Sequence, residues 1–158
     1  MIAGGLVGGV DDYRSAFSDG PDSAVVHGRV ERDGKVDAPI GRHPVSRTRM
    51  AVVARGKPAV TYFHVAARYA DASLLECRLE TGRTHQIRVP LASVGHPLIG
   101  DPVYGHRSGK RQGRGFHRQA LHARRLSLVH PDSGREMTWE SALPGDMREL
   151  IAALEAPT

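Results

Sequence analysis

Apolar and polar residues alternate along "SLLECRLE", setting Leu75, Cys77 and Leu79 on one face and Glu76, Arg78 and Glu80 on the other. A period of two predicts a half-buried β-strand. "AVVHGRV" and "VDAPI" flank "ERDGK", whose Asp33-Gly34 pair predicts a hairpin turn. "TRMAVVA" and "AVTYFHV" around "RGKP" form a second predicted hairpin, and "ALHARRLSLVH" and "EMTWESAL" around "PDSGR" a third. Trp139, beside Met137 on the last of these strands, is read as core. Near the end of the chain the period changes. Met147, Leu150, Ile151 and Leu154 follow the i, i+3, i+4, i+7 spacing of one helical stripe, with Asp146 as the candidate N-cap. Residues 1–23 carry a weaker pattern, a short strand over "MIAGGLVGGV" and one or two helical turns over "DDYRSAFSDG", stopped by Gly20 and Pro21. No internal repeat occurs. These elements define an α+β fold, a mainly antiparallel mixed sheet with few helices.

Length and composition narrow the partners. A chain of 158 residues with 40% hydrophobic and 25% charged residues makes one globular domain, and 18 Gly and 10 Pro imply many turns. The net charge of +5 favours a polyanion, with nucleic acid ahead of an anionic membrane surface. No apolar run reaches the length of a membrane span, and the first residues lack the basic start of a signal peptide, so the expected location is the cytoplasm. Cys77 is the one cysteine, which excludes an intramolecular disulfide and a thiolate zinc site. None of the nine histidines has a metal-binding spacing; they read as hydrogen-bonded structural or RNA-proximal groups, and no metal is expected.

Charge is unevenly placed. No acidic residue lies between Asp101 and Asp132, a stretch that holds Arg107, Lys110, Arg111, Arg114, Arg118, Arg124 and Arg125. "GRHPVSRTR" adds Arg42, Arg47 and Arg49. Either stretch alone reads as solvated surface. Two of them on one basic chain point to phosphate contact, with Arg42, Arg47, Arg49, Arg107, Lys110, Arg111 and Arg114 as candidate RNA-binding residues.

"TGRTHQIRV" carries the candidate chemistry. Gly82 breaks the strand, after which His85, Ile87 and Val89 alternate with Gln86 and Arg88. An arginine beside a tight turn is well placed to fork a carboxylate or phosphate, and equally suited to a surface salt bridge. Asp101, in "GDPVYG", reads as a carboxylate that bonds the amides of its own turn.

Several segments in order, "LETGRTHQIRV", "GHPLIGDPVYG", "RQALHA", "HPDSG" and "PGDMRELI", resemble the C-terminal half of the RluA-type RNA pseudouridine synthases. "APIGRHPVSRTRMAVVARGKPAVTYFHV" resembles the segment that precedes them in the ribosomal RNA enzymes of that family. The resemblance implies residues 24–155 as part of a pseudouridine synthase catalytic domain, preceded by an irregular segment over residues 1–23. It further implies isomerisation of uridine to pseudouridine in structured, ribosomal RNA. The family flips the uridine out of the RNA and attacks with an aspartate, without metal or organic cofactor. By matching positions, Arg88 is the arginine that keeps that aspartate ionised and oriented.

The family carries its nucleophile in an "HRLD" motif, which these residues do not contain; the resemblance places it upstream of Met1. The expected active-site tyrosine falls near Asp22, the nearest tyrosine being Tyr13, and Pro90 stands where the family commonly has histidine. Pro90 can open a short helix over "PLASVG". The expectation is a truncated family member, inactive alone, with Arg88 facing an open pocket or bonded to a substitute such as Asp11 or Asp12. The alternative is a non-catalytic RNA-binding remnant. The sequence sets no oligomeric state.

Overall fold

β1 (Asp22–His27) is buried at every position, as a strand inside a sheet covered on both faces must be. The computed structural model describes residues 21–81, 83, 85–105 and 116–156. The elements expected within residues 1–20 lie outside them. After β1 come β2 (Gly34–Asp37), β3 (Ile40–Arg42), β4 (Met50–Val52), β5 (Val60–Arg68) and β6 (Ala72–Leu79). Helix α1 (Arg88–Ser93) follows, then β7 (Leu121–Ala123), β8 (Arg125–Val129), β9 (Glu136–Glu140) and helix α2 (Gly145–Glu155). Five strands form one sheet in the order β2-β5-β6-β1-β7, with antiparallel pairing throughout. Two small sheets, β3-β4 and β8-β9, stand beside it.

Alternation along the strands sorts side chains onto two covered faces. Ala24, Val26, Leu75 and Cys77 pack with Ile87, Leu91 and Leu98 on the α1 side. Val25 and Ala72 pack with Ile99, Phe116, Ala120 and the Met147, Leu150 and Leu154 stripe of α2 on the other. The helical period near the C-terminus thus marks the face that seals the sheet, each of those three side chains contributing about 1.5–3 kcal/mol by burial. β5 changes face partway: a register shift between Val65 and Ala67 sends Val65 to the first cluster and Ala67 to the second.

The strand over "SLLECRLE" and the β8-β9 hairpin stand as read from sequence; two hairpins do not. β1 pairs with β6 and β7 rather than β2, and β2 pairs with β5 at the far edge of the sheet. A strand buried at every position needs neighbours on both sides, which a local hairpin cannot provide. The chain leaving β1 crosses the β5-β6 end, tied there by the Val30 amide on Ser73 Oγ at 2.8 Å and Arg68 Nε on the Val30 carbonyl at 2.9 Å. Asp33 accordingly makes no tight hairpin turn: its carboxylate accepts the Val65 amide and contacts His64, each at 2.8 Å. β4 pairs with β3, not β5, and the long hairpin is β5-β6.

Three local readings also change. Pro144, not Asp146, is the N-cap of α2; Asp146 lies inside the first turn and forks Arg118 at 2.9 and 3.0 Å. Trp139 is 46% exposed because β8-β9 is a two-stranded ribbon with an uncovered side. The strand expected over residues 85–89 is a turn leading into α1, and Pro90 occupies the third helical position rather than the first. A first-turn position still leaves its missing N–H without consequence.

Candidate functional site around Arg88

The turn that delivers Arg88 is built on Gln86, a fully buried amide. Its Oε1 accepts the Arg83 amide at 2.7 Å and the Thr81 hydroxyl at 2.9 Å, while Nε2 donates to the Val60 carbonyl at 3.0 Å. One side chain therefore satisfies the turn and fastens it to β5. His85 adopts φ 54°, a left-handed conformation costly for any residue with a Cβ, and that reversal turns the chain into α1. Gln86→Leu should cost about 2–3 kcal/mol in chemical denaturation, since it removes the side-chain partner of several part-buried polar groups at once.

Arg88 opens α1 and is buried. It is not free. Nε donates to Asp101 Oδ2 and Nη2 to Asp101 Oδ1, each at 2.8 Å, in a two-bond fork whose partner side chain is fully buried. Asp101 also accepts the Val103 and Tyr104 amides at 2.9 and 3.0 Å, the turn-amide role expected for it. Burial pushes its carboxyl up, yet the Arg88 fork and the two amides outweigh that and hold it below the ordinary value. Among the described residues Arg88 is buried rather than set in an open pocket, and the carboxylate it holds is Asp101. Asp11 and Asp12 lie outside the described residues.

Tyr104 completes the cluster. Its ring lies 5.0 Å from the Arg88 guanidinium and 5.3 Å from that of Arg49. Its hydroxyl accepts the Met50 amide at 2.9 Å and meets His85 Nδ1 at 2.7 Å. Burial lowers the His85 value and the Arg88 charge lowers it further, against the opposing pull of Asp101, so the imidazole is neutral at ordinary pH. Burial likewise raises the Tyr104 value and keeps the phenol protonated. Ile40, Ala59, Val89 and Tyr104 form the small apolar cluster that seats the β3-β4 sheet here.

The other candidates divide. Arg42, the last residue of β3, and Arg47, in the β3-β4 turn, are exposed and joined by Arg42 Nη1 donating to the Arg47 carbonyl at 3.2 Å. Arg49, from the same turn, is half-buried against the Arg88 cluster. Arg107, Lys110, Arg111 and Arg114 fall outside the described residues. Among the described residues no group of three His, Cys, Asp or Glu could hold a metal ion. No helix among them is long and apolar enough to cross a membrane. Sequence reading missed Gln86, Tyr104 and the Asp101 pairing. The pairing left a signal: Asp101 is the first carboxylate after Arg88, and a buried arginine needs one.

An arginine-aspartate fork between α1 and the loop after Leu98, beside a tyrosine and a basic hairpin, coincides with recognisable sequence relatives. Residues 23–93 match the family model for RNA pseudouridylate synthase. The chain belongs to the RNA pseudouridylate synthase family. Within it, the chain is similar to ribosomal large subunit pseudouridine synthase D of Nitrosomonas europaea, 56% identical over 135 residues, covering 83% of this chain and 39% of that protein. The protein of the same name from Escherichia coli K12 is 50% identical over 142 residues, covering 84% of this chain and 44% of the relative. The chain thus spans about two fifths of the length of these curated relatives. Human RNA Pseudouridylate Synthase Domain Containing 1 matches in structure with a TM-score of 0.63 and 26% identity, covering 93% of this chain and 69% of that one. Human RNA Pseudouridylate Synthase Domain Containing 4, at 23% identity and TM-score 0.64, shares the fold, over 94% of this chain and 67% of its own.

Proposed function

We propose that residues 24–155 are the C-terminal part of the catalytic domain of a cytoplasmic pseudouridine synthase that isomerises uridine in structured, ribosomal RNA. The observation that carries the reading is the buried fork of Arg88 on Asp101. Asp101 takes Nε and Nη2, which fixes the plane of the guanidinium and leaves Nη1 as the nitrogen not committed to it. A guanidinium held that way presents a fixed positive charge to a second carboxylate. In this reading that carboxylate is the nucleophilic aspartate, contributed from outside these residues, and the arginine keeps it ionised. Neutral His85 and Tyr104 line the same cluster without competing for the charge. The exposed Arg42 and Arg47, with Arg107, Lys110, Arg111 and Arg114, supply sequence-independent attraction to RNA phosphates. Attack, bond cleavage and reattachment through carbon 5 need no metal or cofactor.

A chimera tests this directly. The N-terminal part of the Nitrosomonas europaea relative, joined ahead of residue 22, is expected to form pseudouridine in ribosomal RNA fragments, with the 158-residue chain alone at background. A folded chimera that binds RNA but makes no pseudouridine would replace this reading with that of a non-catalytic RNA-binding protein.

A further inference from the structure

Tyr104 joins parts of the chain that are far apart in sequence. Asp101 holds its backbone amide at 3.0 Å, and its ring meets the His85 ring edge-on, with 5.5 Å between centres. Its hydroxyl reaches Met50, the first residue of β4. The β3-β4 hairpin is thus held from two sides. On the β3 side, Ile40 and Lys57 exchange both backbone bonds, at 2.9 and 2.8 Å. On the β4 side, the Met50 amide donates to the Tyr104 hydroxyl at 2.9 Å. The direction of the remaining bond follows from the atoms available. A phenol oxygen has one hydrogen to give and lone pairs to accept with. Met50 N–H can only donate, so the phenol hydrogen is left for His85 Nδ1, 2.7 Å away, and that nitrogen must be bare. Were Nδ1 to carry a hydrogen, the oxygen would accept twice and its own hydrogen, on a buried residue, would lose this acceptor. Charge acts in the same sense. The Arg88 and Arg49 guanidinium groups lie 5.0 and 5.3 Å from the Tyr104 ring, and Asp101, the carboxylate beside them, is already forked by Arg88. A protonated His85 would be a third cation there.

We propose that Tyr104 is a positioning residue whose hydroxyl ties the β3-β4 hairpin to the turn that aims Arg88, and that the tie holds only while His85 Nδ1 is bare. Its consequence for RNA rests on the function proposed above. The hairpin carries exposed Arg42 and Arg47, whereas the turn carries the arginine meant for the nucleophile. With β4 fixed to His85 through one oxygen, RNA gripped by the hairpin stands at a set distance from Arg88. When His85 takes a proton, the bond reverses and the phenol hydrogen is stranded. Seating of the hairpin then weakens, although its β3 side stays bonded. Acid therefore loosens the hairpin before it breaks the Arg88–Asp101 fork, because an imidazole titrates above a carboxylate.

The test uses the full ¹⁵N-labelled chain as wild type, Tyr104→Phe and His85→Asn. Wild-type His85 should give the ¹⁵N shifts of an imidazole with hydrogen on Nε2 and a hydrogen bond accepted at Nδ1. The Met50 amide should be protected from solvent exchange at neutral pH. That protection should fall about tenfold as pH drops through the His85 value, below the ordinary 6.5. The Val25 amide, which donates to the Ala120 carbonyl at 3.0 Å, is the reference for opening of the whole fold. Tyr104→Phe keeps the ring but should lose the Met50 protection at every pH and release the His85 tautomer. His85→Asn puts an amide oxygen near the place of Nδ1 and suits the left-handed backbone, so Met50 should stay protected without a step in pH. An RNA stem-loop with uridines in its loop should bind Tyr104→Phe about two- to tenfold more weakly, the span one hydrogen bond is worth. Equal Met50 protection in wild type and Tyr104→Phe, or a His85 with hydrogen on Nδ1, would overturn the proposal. The tie present, with both proteins binding the stem-loop equally, would overturn its consequence for RNA. The tie present, with no RNA bound by the wild type, would keep the role of Tyr104 in the hairpin and remove the RNA function.

Discussion

Asp101→Asn should destabilise the chain by about 3–5 kcal/mol, because it leaves the Arg88 guanidinium buried without its counter-charge. Asparagine keeps a carbonyl oxygen for the Val103 and Tyr104 amides, so the loss reports on the ion pair rather than on the turn. Urea denaturation of four proteins (wild type, Asp101→Asn, Arg88→Met and the double variant) isolates the coupling. Arg88→Met should cost several kcal/mol in the wild type and much less once Asp101 is neutral. A cost within about 0.5 kcal/mol for either single change would mean that the pair behaves as an exposed one. In the catalytic chimera, Asp101→Asn should also depress turnover, since the guanidinium that the nucleophile needs is no longer held in one plane.

Acid should reproduce the same loss. Asp101 has a folded value below the ordinary 3.8, so its contribution is complete above that value and disappears as pH falls through the lower, folded one. His85 is also depressed, below the ordinary 6.5; its neutral form is favoured in the fold, so its contribution too is lost on acidification, and at higher pH than that of Asp101. Stability should therefore decline in two stages below about pH 6.5. The second stage should be smaller in Asp101→Asn, where the depressed carboxyls of Asp33 and Asp146 still contribute.

The contrast between what the chain announces and what it hides follows from the range of the interactions. The α2 stripe and the β6 alternation were legible because each is a local period enforced by one buried face. β1 was legible as a strand, but its neighbours were not: an apolar run states that both sides are covered without naming the elements that cover them. The Asp33-Gly34 pair suggested a local turn, yet Asp33 spends its carboxylate on β5, a contact across 32 residues. At the site, the family motif singled out Arg88, whereas the spacing around it suggested a strand. The left-handed His85 and the buried amide of Gln86 convert that spacing into a turn and a helix. Asp101 was read as satisfying its own turn, which it does; that it also neutralises Arg88 depends on how α1 and the loop after Leu98 meet in space.

Gly100 is where that meeting is most sensitive. Its φ of 76° suits glycine, and a Cβ built there would collide with the Arg118 carbonyl oxygen and lie 2.9 Å from that of Phe116. Gly95 supplies a control within the same molecule: its φ is 90°, but nothing lies within 4 Å of an added Cβ. Gly95→Ala should therefore cost only the left-handed strain, about 1–2 kcal/mol. Gly100→Ala adds steric overlap with backbone that cannot rotate away, for a total of about 3–5 kcal/mol. The backbone must shift to relieve it, and the residue that shifts next is Asp101. Gly100→Ala should consequently loosen the Arg88 fork as well as the fold, seen as faster exchange of the Arg88 Nε–H proton with solvent, while Gly95→Ala leaves that proton protected. Equal destabilisation by the two substitutions, with the Arg88 proton protected in both, would show that the loop yields at Gly100 without disturbing the pair.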